Sequence, residues 1–323
     1  MSTSVSVIIV NYNAGALLTR SLEALRKQTL RPQQIYVVDN ASQDGSCDRV
    51  PTDFPEVHLN RLRRNIGFAA GNNLAIRRAD SCEWIALLNP DAIPAENWLE
   101  QLLATADKNP QVACFASRMI QQYRSAYLDG AGDVYHTSGL VWHRGHDLPV
   151  EGLYLKTDEV FSACAAAALY RRNAFEAVGC FDEDFFCYLE DVDLGFRLRL
   201  AGYRCIYVPD AVVWHVGSAT TERESDFAVY HGHRNLVWTY VKNMPGLLFW
   251  LYLPLHIAGN MYIVIRYALK GRWRVILKAK WDACVGIPWM WKKRRKIQAS
   301  RAAVACEIRK LMAKGLLRRS RDG

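Results

Sequence analysis

VSVIIVNYN, residues 5–13, decides the fold: a β-branched run from Val5 to Val10, broken only by Ser6, stops abruptly at Asn11-Tyr12-Asn13. So short a run, with no basic residues before it, reads as a first strand and not as a signal peptide. Working outward, LLTRSLEALRKQ (17–28) has helical apolar spacing and QIYVVD (34–39) is a second strand. Ser42 and Asp44 signal a helix start, although Asp44-Gly45 is also good turn chemistry. VHLNRL (57–62), a helix around Ala69 to Ala79, and WIALL (84–88) continue the alternation. The pattern predicts a mainly parallel sheet with helices on both faces, in which ligands bind beyond the carboxyl ends of the strands.

Those strand ends carry Asn11-Tyr12-Asn13, Asp39-Asn40, Asn65-Ile66-Gly67 and Asn89-Pro90-Asp91, four polar clusters converging on one rim. No G-x-G-x-x-G follows the first strand and no G-x-x-x-x-G-K-[ST] occurs, which argues against a dinucleotide enzyme and a P-loop nucleotidase. A divalent cation held by an acidic residue is the usual substitute for holding phosphates, and Asp91 is the best-placed candidate. Asn and Asp at such places also make turns and caps; Asp39 and Asp91 stand out because each follows an apolar strand directly.

A second acidic segment, DEDFFCYLEDVDLGFRLRLAG (182–202), sets Glu190, Asp191 and Asp193 at the start of an amphipathic helix. The helix dipole alone accounts for one or two of these acids. The Glu190-Asp191 pair among Phe185, Phe186, Tyr188 and Leu189 is better explained as a base, because desolvation raises a carboxylate pKa toward a useful range. Asp193 points elsewhere on a helix and is assigned to structure. His215, in VVWHVG, is a metal candidate or a satisfied core histidine, and Arg234, in HGHRN, a phosphate partner or a surface ion pair.

Length and charge divide the chain. Its 323 residues suffice for one large α/β domain plus an appendage. Residues 1–241 hold 22 Lys and Arg against 29 Asp and Glu, whereas residues 242–323 hold 19 against 3. The nine cysteines form no C-x-x-C pair, so neither a disulfide framework nor a thiolate zinc site is suggested, and a reducing compartment is expected. LLFWLYLPLHIAGNMYIVI (247–265) carries no charge and would extend ~28 Å as a helix, near the thickness of a hydrocarbon core. Pro254, His256 and Asn260 weaken it as a span and favour shallow insertion; a buried helical hairpin of a soluble domain is the alternative. Trp273, Trp281, Trp289 and Trp291 beside the basic run Lys292 to Lys296 suit an anionic membrane surface better than nucleic acid.

SVIIVNYNA, YVVDNASQDGS, NIGFAAGNN, LLNPDA, GCFDEDFFCYLEDVDLGFRLRLAGYRC and HRN, in this order, resemble the family 2 glycosyltransferases of GT-A fold from Val5 to about Asn243. Within that family the blocks look most like rhamnosyltransferases of bacterial cell-surface polysaccharide (O-antigen) synthesis. The resemblance implies a GT-A α/β domain over residues 1–243 and a helical, membrane-associating region over 244–323. It implies inverting, metal-dependent, non-processive transfer of one sugar to a lipid-linked glycan, with dTDP-rhamnose the favoured donor and a UDP-sugar next. No Q-x-x-R-W follows the acidic pair, which disfavours a processive synthase. By the same resemblance Asn13, Asp39 and Asn65 line the nucleotide site, Asn89 meets ribose or metal, and Asp91 ligates Mg²⁺ or Mn²⁺. His215 completes the metal or diphosphate site, and Asp191, with Glu190 beside it, is the catalytic base. Asn89 stands where relatives have a carboxylate, and Ala165 to Ala168 where they often have glycines. The location expected is the cytoplasmic face of the inner membrane. Galactofuranose or hexosamine transfer, and an idle scaffold of an assembly complex, are the alternatives; the joint presence of Asp39, Asp91 and Asp191 argues against the scaffold.

Overall fold

The computed structural model describes residues 4–79, 82–217 and 225–315. The first half alternates as β1 (Val5–Asn11), α1 (Ala16–Arg26), β2 (Gln34–Asp39), α2 (Val50–Asp53), β3 (Val57–Arg61), α3 (Phe68–Arg78) and β4 (Trp84–Leu88). Every residue of β1 and of β4 is buried, so both strands are apolar at consecutive positions and not at alternate ones. β1 pairs in parallel with β2 and β4, and β2 in parallel with β3. Asn11, Asp39 and Arg61 fall in one register row, which brings the carboxyl ends of three strands to a common edge.

The second half departs from the expected parallel pattern. It runs β5 (Ala92–Pro94), α4 (Trp98–Lys108), β6 (Val112–Gln121), β7 (Leu128–Gly130), β8 (Asp133–Tyr135), β9 (Val141–His143), β10 (Asp158–Glu159), β11 (Ala167–Arg171), α5 (Arg172–Ala177), α6 (Glu190–Leu200) and β12 (Arg204–His215). The sheet order is β10-β12-β6-β11-β4-β1-β2-β3, with β5 added on β12 and β7 on β6. β11 lies antiparallel to both β4 and β6. Only short strands separate β6 from β11, so no helical crossover forces β11 to run parallel. The sheet is therefore mixed.

Its two faces carry separate cores. Val7 and Ile9 pack with Leu18 and Leu22 of α1 and Leu99 and Leu102 of α4, whereas Ile8 and Val10 pack with Ile76 of α3, Phe175 of α5 and Leu194 and Leu198 of α6. This is the alternation of side chains expected of a strand covered on both sides.

A helical region follows: α7 (Asp226–Asn243), α8 (Gly246–Leu269), α9 (Trp273–Val285), α10 (Ile287–Ala299) and α11 (Ala305–Leu311). Phe196 and Leu200 of α6, Trp238 and Tyr240 of α7, Leu248 and Phe249 of α8 and Met290 of α10 share one core cluster. Lys242 is buried among them and bridges Asp182 at 2.6 Å and Asp193 at 2.7 Å. Asp193 also pairs with Arg197 and accepts from Asn243 Nδ2, so it serves structure.

The polar residues that weaken α8 as a membrane span face protein. His256 is buried, donates from Nδ1 to Ser138 O at 2.7 Å and stacks on Tyr240 at 3.9 Å. Asn260 Oδ1 accepts from Lys280 of α9. The other side of α8 leaves Leu247, Trp250, Leu251, Ile257, Met261 and Ile265 exposed, and Trp281 of α9 is 71% exposed. One face is thus fastened to the rest of the chain while the opposite face is apolar and uncovered.

Candidate active site

The rim of the parallel strands is wired by side chains. Asn11 Nδ2 donates to Ser42 Oγ at 3.0 Å and Ser46 Oγ at 2.8 Å, tying the loop after β2 to the end of β1. Asp39 is buried; its Oδ1 accepts from Ser42 N, while Oδ2 receives no donor from the described residues. Asn13, at φ +52°, donates its backbone N–H to Ser42 Oγ and accepts Gln43 N–H on Oδ1. Asn65 spends its carbonyl on local bracing, accepting from Asn40 Nδ2 and Gly67 N, each at 2.8 Å. Asn13 and Asp39 are therefore joined through one loop, and Asn65 meets that loop through Asn40.

The end of β4 meets the end of β12. β5 pairs antiparallel with β12, matching Ala92 to His215, and this pairing carries Asp91 to the histidine. Asp91 is buried, and its Oδ1 lies 3.4 Å from His215 Nε2. On the opposite side of the ring, Nδ1 lies 2.8 Å from Asp129 Oδ2. Burial opposes charge on His215, but the hydrogen bonds and charges of Asp129 and Asp91 prevail and push it up to about 10. Burial likewise opposes the Asp129 carboxylate, and the His215 contact outweighs it and holds the group at about 2. Two carboxylates enclose one imidazole, a setting built for a positive charge.

A divalent cation fits this corner. Asn89 Oδ1 and His215 Nε2 are both buried without a hydrogen-bond partner, and both belong with Asp91 to the ends of β4 and β12. Among the described residues no three His, Cys, Asp or Glu side chains gather into a complete metal cage. The protein would therefore supply only part of a coordination shell, and a bound ligand or water the rest.

The acidic pair opens α6. Gly195 lets α6 approach the segment before β11, since a Cβ there would stand 2.3 Å from Ser162 Cβ. That approach lets Asp191 Oδ2 accept from Ala165 N at 3.0 Å, while Oδ1 accepts from Val192 N at 2.8 Å. Desolvation first and the charge of Asp133 second raise Asp191 to about 6. Glu190 is buried with Oε2 unpartnered, and burial together with Asp191 lifts it well above the ordinary carboxylate range. A carboxylate near 6 is charged at neutral pH yet basic enough to take a proton.

The loop that presents this pair is strained. Phe186, Tyr188 and Leu189 all have positive φ, between +65° and +67°. Asn235 of α7 holds them, its Nδ2 donating to Phe185 O, Cys187 O and Tyr188 O at 2.7–3.0 Å. Arg234 donates to Asp184 O and Phe185 O and lies 4.1 Å over the Trp238 ring, so its guanidinium braces this loop. Gly67 supports the loop from below, where a Cβ would come within 2.6 Å of Phe186 O.

Sequence reasoning did not single out Asp129, Asp133 and His143. Asp133 accepts from His143 Nδ1 at 2.7 Å and Ser162 Oγ at 2.9 Å. Burial disfavours the charged His143 ring, but the Asp133 hydrogen bond prevails and pushes it up to about 9. The signal was present in LDGAGD (128–133), two acids separated by glycine-flanked alanine between short strands.

Comparison with known proteins now fixes the class. Residues 6–179 match the model of glycosyl transferase family 2. The chain belongs to glycosyltransferase family 2 and is a hexosyl-transferring enzyme. It is 29% identical over 253 residues to N-acetylglucosaminyl-diphospho-decaprenol L-rhamnosyltransferase of Mycobacterium tuberculosis, covering 72% of this chain and 82% of that one. It is 27% identical to the O-antigen chain rhamnosyltransferase RfbN of Salmonella typhimurium, covering 70% and 72%. Among solved structures, GalNAc-T7 with UDP, GalNAc and Mn²⁺ matches at TM-score 0.59 and 17% identity, over 74% of this chain and 48% of that one. The mannosyltransferase PcManGT of Pyrobaculum calidifontis, in complex with GDP-Man and Mn²⁺, matches at TM-score 0.51 and 19% identity, over 92% and 85%. These structural matches establish the GT-A-like fold.

Proposed function

We propose that the enzyme transfers a single sugar, with L-rhamnose from dTDP-rhamnose favoured, to a lipid-linked glycan with inversion at the anomeric carbon. The observation that carries this reading is Asp191, fixed by Ala165 N at the start of α6 and raised to about 6. Asp191 takes the proton of the acceptor hydroxyl as that oxygen attacks the anomeric carbon, and the bond from that carbon to the diphosphate oxygen breaks on the opposite face. Asp39 and Asn13 hold the base and ribose end of the donor. Asp91, His215 and Asn89 would hold Mg²⁺ or Mn²⁺, which when bound neutralises the diphosphate leaving group. Glu190 lies beside the base, its carboxyl lifted well above the ordinary range by burial and by the charge of Asp191.

The rhamnosyl preference is supported by relatives named as rhamnosyltransferases, one acting on a diphospho-decaprenol-linked sugar. Attachment at the cytoplasmic membrane face is supported by the uncovered apolar side of α8, by Trp281, and by the excess of basic residues after Lys242. Because His256 is fastened to Ser138, α8 fits lying in the interface better than spanning. The test is a panel of UDP-, dTDP- and GDP-sugars screened with Mn²⁺ for thermal stabilisation, followed by transfer to polyprenyl-diphospho-N-acetylglucosamine and NMR of the new linkage. Stabilisation by dTDP-rhamnose and an inverted linkage are expected. Selective stabilisation by UDP-galactofuranose or a UDP-hexosamine would replace the donor, and binding without turnover on any acceptor would leave a scaffold.

A further inference from the structure

Asp129 lies in β7, which pairs with the outer end of β6 through Ile120↔Leu128, while β12 runs along β6 on its other edge through Trp214↔Ile120 and His215↔Gln121. β6 therefore sets Asp129 and His215 facing each other across a single strand. Asp129 is 5% exposed and firmly held: its backbone O accepts from His146 Nδ1 at 2.7 Å, and its Oδ1 stands 3.6 Å from the same nitrogen. The contacts of the His215 ring are unequal. Nδ1 makes a 2.8 Å hydrogen bond with Asp129, whereas Nε2 stands farther off, 3.4 Å from Asp91, with no closer partner. The ring is anchored from the Asp129 side and open on the Asp91 side.

We infer that Asp129 is a positioning residue that fixes His215 with its proton on Nδ1, turning the Nε2 lone pair toward Asp91 as a ligand for a divalent cation. An imidazole whose Nδ1–H is held by a carboxylate is locked in one tautomer and one orientation, and its other nitrogen becomes a stronger donor. A buried aspartate on a three-residue strand would otherwise be a costly way to pin one edge of β6. The inference rests on the metal reading of Asp91, Asn89 and His215, and its test separates the two.

Mn²⁺ affinity in the presence of a nucleoside diphosphate is titrated by electron paramagnetic resonance for the wild type, His215→Ala, Asp129→Asn and Asp129→Glu. Electron spin-echo modulation of the bound Mn²⁺ then reports directly bonded imidazole nitrogen. Circular dichroism and thermal melting establish that each variant is folded. The wild type is expected to show nitrogen modulation and His215→Ala to lose it. Asp129→Asn is expected to bind Mn²⁺ ~10-fold more weakly or worse with reduced modulation, and Asp129→Glu to recover part of both. Wild-type affinity and full modulation in Asp129→Asn, or a Glu variant no better than Asn, overturns the role of Asp129 while leaving the metal reading intact. Failure of the wild type to bind Mn²⁺ overturns both.

Discussion

Changing Asp191 to Asn removes the proposed base and keeps its shape, so the substitution separates chemistry from architecture. The amide oxygen can still accept from Ala165 N or Val192 N, the two bonds that orient the carboxylate. Turnover is expected to fall by roughly two to four orders of magnitude, the range for loss of a general base, with donor affinity by calorimetry unchanged. The wild-type enzyme adds a second signature. With the carboxyl raised to about 6, the rate should fall as pH drops below that value, reaching roughly a tenth at pH 5. The stability effect has a definite sign. The folded pKa lies above the ordinary 3.8, so the stability tied to the protonated form is present at low pH and is lost as pH rises through about 6. Two pKa units set an upper bound of about 3 kcal/mol, reduced because Asp191 is only partly buried. Asp191→Asn should therefore be the more stable protein at pH 8, by urea denaturation, while being nearly inactive. Near-normal turnover of the variant, or a wild-type rate that is flat between pH 5 and 8, refutes the assignment and returns Glu190 or another group to the role.

Three further outcomes are expected. Asp91→Ala should abolish the metal-dependent part of nucleoside-diphosphate binding; calorimetry with and without Mg²⁺ checks it, and equal affinities would exclude Asp91 as a ligand. Asn235→Ala removes the amide whose two N–H groups are shared among three carbonyls of the strained loop, so the urea midpoint should fall by the equivalent of roughly 2 kcal/mol, with a loss of turnover at saturating donor. Leu251→Glu combined with Trp281→Glu places charge on the uncovered apolar face without entering the core, so flotation with anionic vesicles should be lost while the melting temperature holds; continued flotation at 0.5 M salt, a probe concentration of roughly three times the point where exposed charges are well screened, would point to an inserted helix.

The first half of the fold was legible because buried parallel strands announce themselves as unbroken apolar runs, as in Val5–Val10 and Trp84–Leu88. The antiparallel β11 was not, since AALYR carries no mark of its direction and only the absence of a helix after β6 sets it. The positions of Asp39 and Asp91 at strand ends and of the Glu190-Asp191 pair at a helix start were legible, and the fold sets them there. Asp129 and His143 could not, because their surroundings are made by strands two and three residues long whose pairing depends on distant partners. Arg234, whose sequence setting left a phosphate partner and a surface ion pair open, donates in the fold to two backbone carbonyls.

The Asn235 clamp on the Phe186–Leu189 loop also bears on the order in which the chain can fold. The three carbonyls it holds lie 47 to 50 residues earlier in the chain, and the left-handed conformations they stabilise cost roughly 1 kcal/mol or more each when unsupported. A chain synthesised only as far as Leu200 holds α6 but has no Asn235 to set the entrance to that helix, so the loop takes its folded form only after α7 has been made and has docked.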